Sequence, residues 1–299
     1  MIDITQYLQN IYEDFKNYID NDMCLCKFKG LSFEGGALPD YTDVNIQQLY
    51  LLRYAFAYAF EYYRMYKKVL SKMDNINHIL VTSVGCGSMI DYWALIHALE
   101  MIKADNSIIR YEGIDEIDWN YKIPQREKDE VYNITGNAKD YFIHNDKFVS
   151  DVYFFPKSIS EFSDDEIKVI ADSFSSKEIV KEKFFVCISL REDQGSMDRD
   201  MQKTKQIIDA IERNGYKTNC SYNQYTYFTN NDGIKAYDSH FDYPSDALEY
   251  IKNLNTKCLN YLTFEANCKS DCENYLDRWP ILKVGHIRYQ VIMFERTNQ

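Results

Sequence analysis

Residues 79–103, ILVTSVGCGSMIDYWALIHALEMIK, decide the fold. Ile79 to Val84 form a mostly apolar and β-branched run, the pattern of a strand buried on both faces. Gly85 and Gly87 follow at once, and beyond them Met89, Tyr92, Trp93, Ile96, Leu99 and Ile102 recur at helical spacing. Ser88 stands where a side chain caps the start of that helix. Strand, glycine turn and helix make the first half of a nucleotide-binding βαβ unit. A residue without Cβ lets backbone N–H groups and the helix N-terminus approach a polar ligand closely.

The turn itself, Gly85-Cys86-Gly87-Ser88-Met89-Ile90, narrows the ligand. Ile90 occupies the place of the third glycine of G-x-G-x-x-G, which argues against a pyrophosphate, and the G-x-x-x-x-G-K-[ST] phosphate loop is absent here. Downstream, Ile108 to Ile114 reads as a second strand ending in Asp115-Glu116. An acidic residue at that position accepts hydrogen bonds from ribose hydroxyls. Val131 to Thr135 reads as a third strand, followed by Gly136-Asn137-Ala138 and the short helical stretch KDYFIH. Ser150 to Phe155 reads as a fourth, running into the turn Pro156-Lys157-Ser158.

With these segments in this order, V-T-S-V-G-C-G (residues 81–87) resembles the first motif of class I methyltransferases that use S-adenosylmethionine (SAM), and the resemblance covers residues 79–160. It implies a Rossmann-like, doubly wound, mostly parallel seven-stranded α/β sheet with an N-terminal helical cap. It further implies that Gly85, Cys86 and Gly87 meet the methionine half of SAM, that Asp115 and Glu116 meet the ribose, and that Asn137 and Ala138 meet the adenine. Asn137 stands where Asp is more usual, and its amide oxygen is an acceptor for the adenine amino group. Phe155 and Pro156 end the strand that carries the reaction in this family, beside the methyl group. The turn Phe155-Pro156-Lys157-Ser158 departs from the N/D/S-P-P-Y/F/W pattern of amino-group methyltransferases, which leaves Lys157 and Ser158 as candidates for orienting the acceptor.

Two further groups have a bland and a sharp reading. Asp91, four residues past Gly87, is either a carboxylate held by the helix N-terminal dipole or a contact for the cationic part of SAM. Asn45 to Leu70 is the longest helical pattern, apolar nearly all round, as a helix buried between two layers is. One reading makes it packing for the cap. In the other, Arg53, Tyr54, Tyr58 or Glu61 faces the cofactor, with Arg53 as a bidentate partner for the methionine carboxylate.

The whole chain sets the bounds. Its 299 residues suffice for one large domain or one domain with a cap. The 26 Tyr and 17 Phe promise a core rich in rings. A net charge of −12 disfavours a protein that grips duplex nucleic acid by neutralising phosphates. No run of 18 apolar residues indicates a membrane span, and the start MIDITQYLQNIYEDFKNYID lacks the basic and apolar regions of a secretory signal. Eight scattered cysteines fit a reducing cytoplasm.

Residues 1–74 are read as the helical cap, with a first helix over 4–19, and 75–299 as the SAM-binding domain. After Pro156 the pattern predicts a helix from Ser163 or Asp164 to Phe174, a strand over 183–190, a helix over 201–213, a strand over 217–228 and a last, antiparallel strand over 287–295. An insertion at about 230–284 holds a helix over 245–254 and Cys258, Cys268 and Cys272, which with His240 or His286 would make a tetrahedral zinc site or else are ordinary thiols. This insertion is also expected to shape the substrate pocket, and a Cys24-x-Cys26 pair offers at most half a metal site.

The function implied is a SAM-dependent methyltransferase acting on an RNA, protein or small-molecule acceptor. A non-catalytic SAM-binding sensor or scaffold is the alternative, supported by the missing acceptor motif. A dinucleotide oxidoreductase would use Gly85, Gly87 and Asp115 but has Ile90 against it.

Overall fold

A computed structural model describes residues 3–20, 25–31, 39–258, 276 and 278–297. Side-chain caps fix several helix starts. Helix α1 (Ile4–Ile19) begins at Asp3, whose carboxylate accepts from Thr5 N, and α2 (Val44–Leu70) begins at Asp43, which accepts from Asn45 N. Strand β1 (His78–Val84) then leads through the glycine turn into α3 (Ile90–Met101). Ser88 does not cap α3: the N-cap is Met89, held at φ 66° without a side-chain cap bond. Gly85, Gly87 and Met89 are all left-handed, and this winding carries the chain into the helix in place of a serine cap.

Strands β2 (Ile108–Asp115) and β3 (Glu130–Thr135) are parallel neighbours joined by residues 116–129, which contain no helix. Helix α4 (Ala138–His144), strands β4 (Lys147–Phe148) and β5 (Val152–Phe155), and helix α5 (Asp164–Ser176) follow. In α5 Ser163 and Glu166 form a reciprocal capping box. Next come β6 (Glu178–Ile179), β7 (Lys183–Ser189) and α6 (Gln194–Arg213), which starts earlier than its apolar periodicity implies because Asp193 caps it through Ser196 N.

The strand expected over 217–228 is two short pieces, β8 (Tyr216–Lys217) and β9 (Thr226–Tyr227). A turn closed by Gln224 N donating to Ser221 O separates them. Helix α7 (Ser245–Lys252) and strand β10 (Arg288–Arg296) follow among the described residues.

The main sheet runs β3-β2-β1-β5-β7-β10-β8, with β9 also on β10. All pairs among β3, β2, β1, β5 and β7 are parallel, and β10 is antiparallel to β7, β8 and β9. This is the doubly wound, mostly parallel sheet that the sequence predicts, and the strand order reverses between β1 and β5.

Alternation along the strands divides the interior. Phe154, Phe185, Cys187 and Val291 bury on the side of α2 and α3, while Tyr153, Phe155, Val186, Ile188 and Phe294 bury on the side of α4, α5 and α6. α2 is buried over most of its girth because it has neighbours on opposite sides. Tyr66 and Tyr62 pack on Phe154 of the sheet, and Phe56 meets Phe241 and Tyr243 on the opposite side. Phe241 also packs on Trp93, and the Tyr243 hydroxyl donates to Leu52 O at 2.7 Å. The segment that was expected to shape the pocket therefore backs α2 instead, and none of its described residues lines the cavity.

Candidate functional site

A cavity of about 220 Å³ opens at the carboxyl ends of the strands where the order reverses. Its floor is residues 85–88 after β1, 114–117 at the end of β2, Gly136 and Ala138 after β3, and 156–158 after β5. α2 supplies one wall through Tyr50, Tyr58 and Tyr62. Tyr41 and Trp119 supply the next, their rings 5.2 Å apart.

The floor is built by close approach. A Cβ on Gly85, at φ 73°, would overlap the Ser158 side chain, so the turns after β1 and β5 meet only because residue 85 is glycine. The Ser158 hydroxyl donates to Val84 O and binds the two turns together. Asp115 holds the other side: one carboxylate oxygen accepts from Gly87 N at 2.7 Å and the other from Ile117 N at 2.9 Å. Burial raises the Asp115 pKa, and these two N–H donors oppose the rise.

The charge in the cavity is negative. Asp115, Glu116, Glu161 and Glu166 line it, with Lys157 as the lining cation. Lys157 is already engaged: its ammonium lies 3.0 Å from the buried Glu61 carboxylate of α2 and donates to Leu190 O at 2.5 Å. Glu61 also accepts from the Ser189 hydroxyl. Glu161 keeps solvent access at the cavity mouth, and the surrounding walls with Asp115 and Glu116 push its pKa up to about 7. A cation is thus the ligand charge this pocket favours.

Of the residues expected at the site, Gly85, Cys86, Gly87, Asp115, Glu116, Ala138, Tyr58, Pro156, Lys157 and Ser158 line the cavity. Cys86 is buried, and burial raises its thiol pKa well above the ordinary value, which leaves no reactive thiolate. Four others lie elsewhere. Arg53 is buried on a different side of α2, where its carbonyl accepts from Ile281 N and its charge acts on Tyr243. Asp91 is buried beside the Tyr111 hydroxyl, which donates to its carboxylate at 2.9 Å. Asn137 uses its amide oxygen to cap α4 through Lys139 N and its amide nitrogen to donate to Glu116 and Glu166. Phe155 points into the core under α5.

Tyr41, Tyr50, Tyr62, Trp119, Glu161 and Glu166 reach the cavity without having been singled out. The only trace of them in the sequence is the tyrosine series at 50, 54, 58 and 62, whose four-residue spacing marks one helical face.

Among the described residues no group of three His, Cys, Asp or Glu side chains could hold a metal ion. Cys258 is buried, His240 pairs with Asp238, and His286 pairs with Glu192 at 2.5 Å. Cys24, Cys268 and Cys272 lie outside the described residues.

The residues present fit SAM. The carboxylate at the end of β2 keeps lone pairs unused, aromatic faces and acidic groups suit a sulfonium, and two buried donors in the wall, the Tyr41 hydroxyl and the Trp119 indole N–H, have no hydrogen-bond partner among the described residues.

No protein-family model and no curated protein matches the chain. Distant likenesses are found among solved structures. A cyclopropane synthase from Mycobacterium tuberculosis is 9% identical, with a TM-score of 0.41 over 78% of this chain and 83% of that one. The 1,6-didemethyltoxoflavin-N1-methyltransferase from Burkholderia thailandensis, solved with S-adenosylhomocysteine and its substrate, is 8% identical, with a TM-score of 0.40 over 81% and 79%. A SAM-dependent methyltransferase from Archaeoglobus fulgidus is 12% identical, with a TM-score of 0.38 over 79% and 94%. This chain's own strand order, with the reversal between β1 and β5 and the antiparallel β10, is what gives it the class I methyltransferase type of fold.

Proposed function

We propose that the chain binds SAM in this cavity and transfers its methyl group to an RNA, protein or small-molecule acceptor. The observation that carries the reading is the cavity at the switch point, where the left-handed glycine turn and the Asp115 carboxylate meet in a negatively charged, ring-lined space. When bound, SAM supplies an electrophilic methyl group on a sulfonium, and the protein has then only to align a nucleophile and exclude water.

The residues that orient the pieces are those of the floor. Asp115 faces the ribose, residues 85–88 face the methionine half, and Gly136 with Ala138 faces the adenine. Lys157 and Ser158 hold the turn after β5 in place, since the ammonium is paired with Glu61 and the hydroxyl donates to Val84 O. Neither is free to act on an acceptor. Glu161, a cavity carboxyl whose pKa is pushed up to about 7, is suited to take a proton from an acceptor near neutral pH.

The sensor reading draws on the same engagement of Lys157 and Ser158. Labelled SAM incubated with the protein and fractionated cell extract separates the two. Transfer of label that falls in Glu161→Gln, with S-adenosylhomocysteine affinity kept, supports the enzyme. Saturable binding with no labelled product in any fraction supports the sensor.

A further inference from the structure

Trp119 lies in the helix-free connection between β2 and β3, and no motif marks it. Its side chain is 7% exposed and lines the cavity, with the indole edge lying over Gly87: a Cβ on that glycine would stand 3.6 Å from the ring and 3.9 Å from Nε1. Among the described residues the indole N–H has no hydrogen-bond partner, although it comes close enough to Asp115 to favour that group's charged form. A buried donor left unmade costs about 1–3 kcal/mol, so the partner is expected from the cavity itself.

Asp115 presents the opposite need over the same glycine. A carboxylate has about four lone-pair sites. The bonds from Gly87 N and Ile117 N use one site on each oxygen.

The chemistry of the partner follows by elimination. A carboxylate or phosphate would accept from Trp119 but meet Asp115 as a like charge. An ammonium would satisfy Asp115 but leave the indole unpaired. A hydroxyl does both, donating its hydrogen to the carboxylate and accepting from the N–H on its oxygen. Tyr41, packed on Trp119, fixes the plane of the ring.

We infer that Trp119 and Asp115 act as a donor–acceptor pair for one ribose hydroxyl, with Trp119 a specificity-determining residue of the nucleoside site; this rests on the proposed cofactor insofar as a nucleoside must bind. Replacing the indole by a ring without a donor should loosen the demand for that hydroxyl while leaving ring contact largely in place.

The test is a thermodynamic cycle. Wild type and Trp119→Phe are titrated with S-adenosylhomocysteine and with its 2′-deoxy and 3′-deoxy analogues, folding being checked by circular dichroism. The expected result is that one deoxy analogue binds wild type more weakly than the parent, and that this penalty shrinks about five- to tenfold in Trp119→Phe, the size of one hydrogen bond.

Penalties unchanged by the substitution would overturn the inference while leaving the cofactor reading intact. Failure of wild type to bind any of the three compounds would overturn both. Should Trp119→Phe not fold, the wild-type spectrum of the three ¹⁵N-labelled indoles decides. One N–H resonance should move downfield with the parent compound and not with one of the deoxy analogues; the same shift with all three would overturn the inference.

Discussion

Gly85 is the residue on which two turns depend. Any side chain there meets Ser158, and the φ of 73° adds backbone strain. Gly85→Ala is therefore expected to destabilise the fold by about 2–4 kcal/mol, read as a lower urea midpoint with an unchanged slope. Lys157 and Glu61 make a second local test. Lys157→Met leaves the Glu61 carboxylate buried with its ammonium gone, at a cost of about 3–5 kcal/mol, whereas replacing both residues with methionine should cost less. A double-variant loss equal to the sum of the Lys157→Met and Glu61→Met losses would show that the pair is not coupled. Lys157 also shows why single side chains are hard to read from a sequence: nothing near residue 157 reveals that a carboxylate 96 positions earlier will claim its charge.

At the level of elements, α3 carries a buried titratable group. Asp91 lies in its first turn, and burial pushes its carboxyl up to about 7 against the bonds from Tyr111. The folded state thus prefers the protonated acid. The corresponding stability is fully present below the ordinary carboxylate pKa of about 3.9 and is lost as pH rises through about 7. Denaturant unfolding of wild type and Asp91→Asn at pH 5 and pH 8 checks this: the difference in stability should move in favour of the variant at the higher pH.

Elements with strong periodicity or a local cap were legible from the sequence, including α1, α2 and the strands before each turn of the site. Elements made by pairing alone were not. β8 and β9 are two residues each and exist because β10 lies beside them, and the helix-free connection after β2 has no periodic signal to betray it. The same connection brings Trp119 to the cavity, which is why that ring stayed hidden while the glycine turn and Tyr58 did not.

On the scale of the molecule, the sheet reverses its strand order between β1 and β5, and the cavity lies at that reversal. The order of motifs along residues 79–160 implied this arrangement. It did not imply that α2 would turn Tyr58 to the cavity and Arg53 away from it, because an apolar girdle on every side of a helix gives no preferred face. The acidity of the chain is also felt locally, in the four carboxylates that surround the space proposed for a cationic cofactor. The most direct measurement is calorimetric titration of wild type and Asp115→Ala with SAM and, separately, with S-adenosylhomocysteine. Micromolar binding of both by wild type, weakened by about 1.5–3 kcal/mol in the variant, is the predicted result. No binding by wild type, or equal affinity in the two proteins, would contradict it.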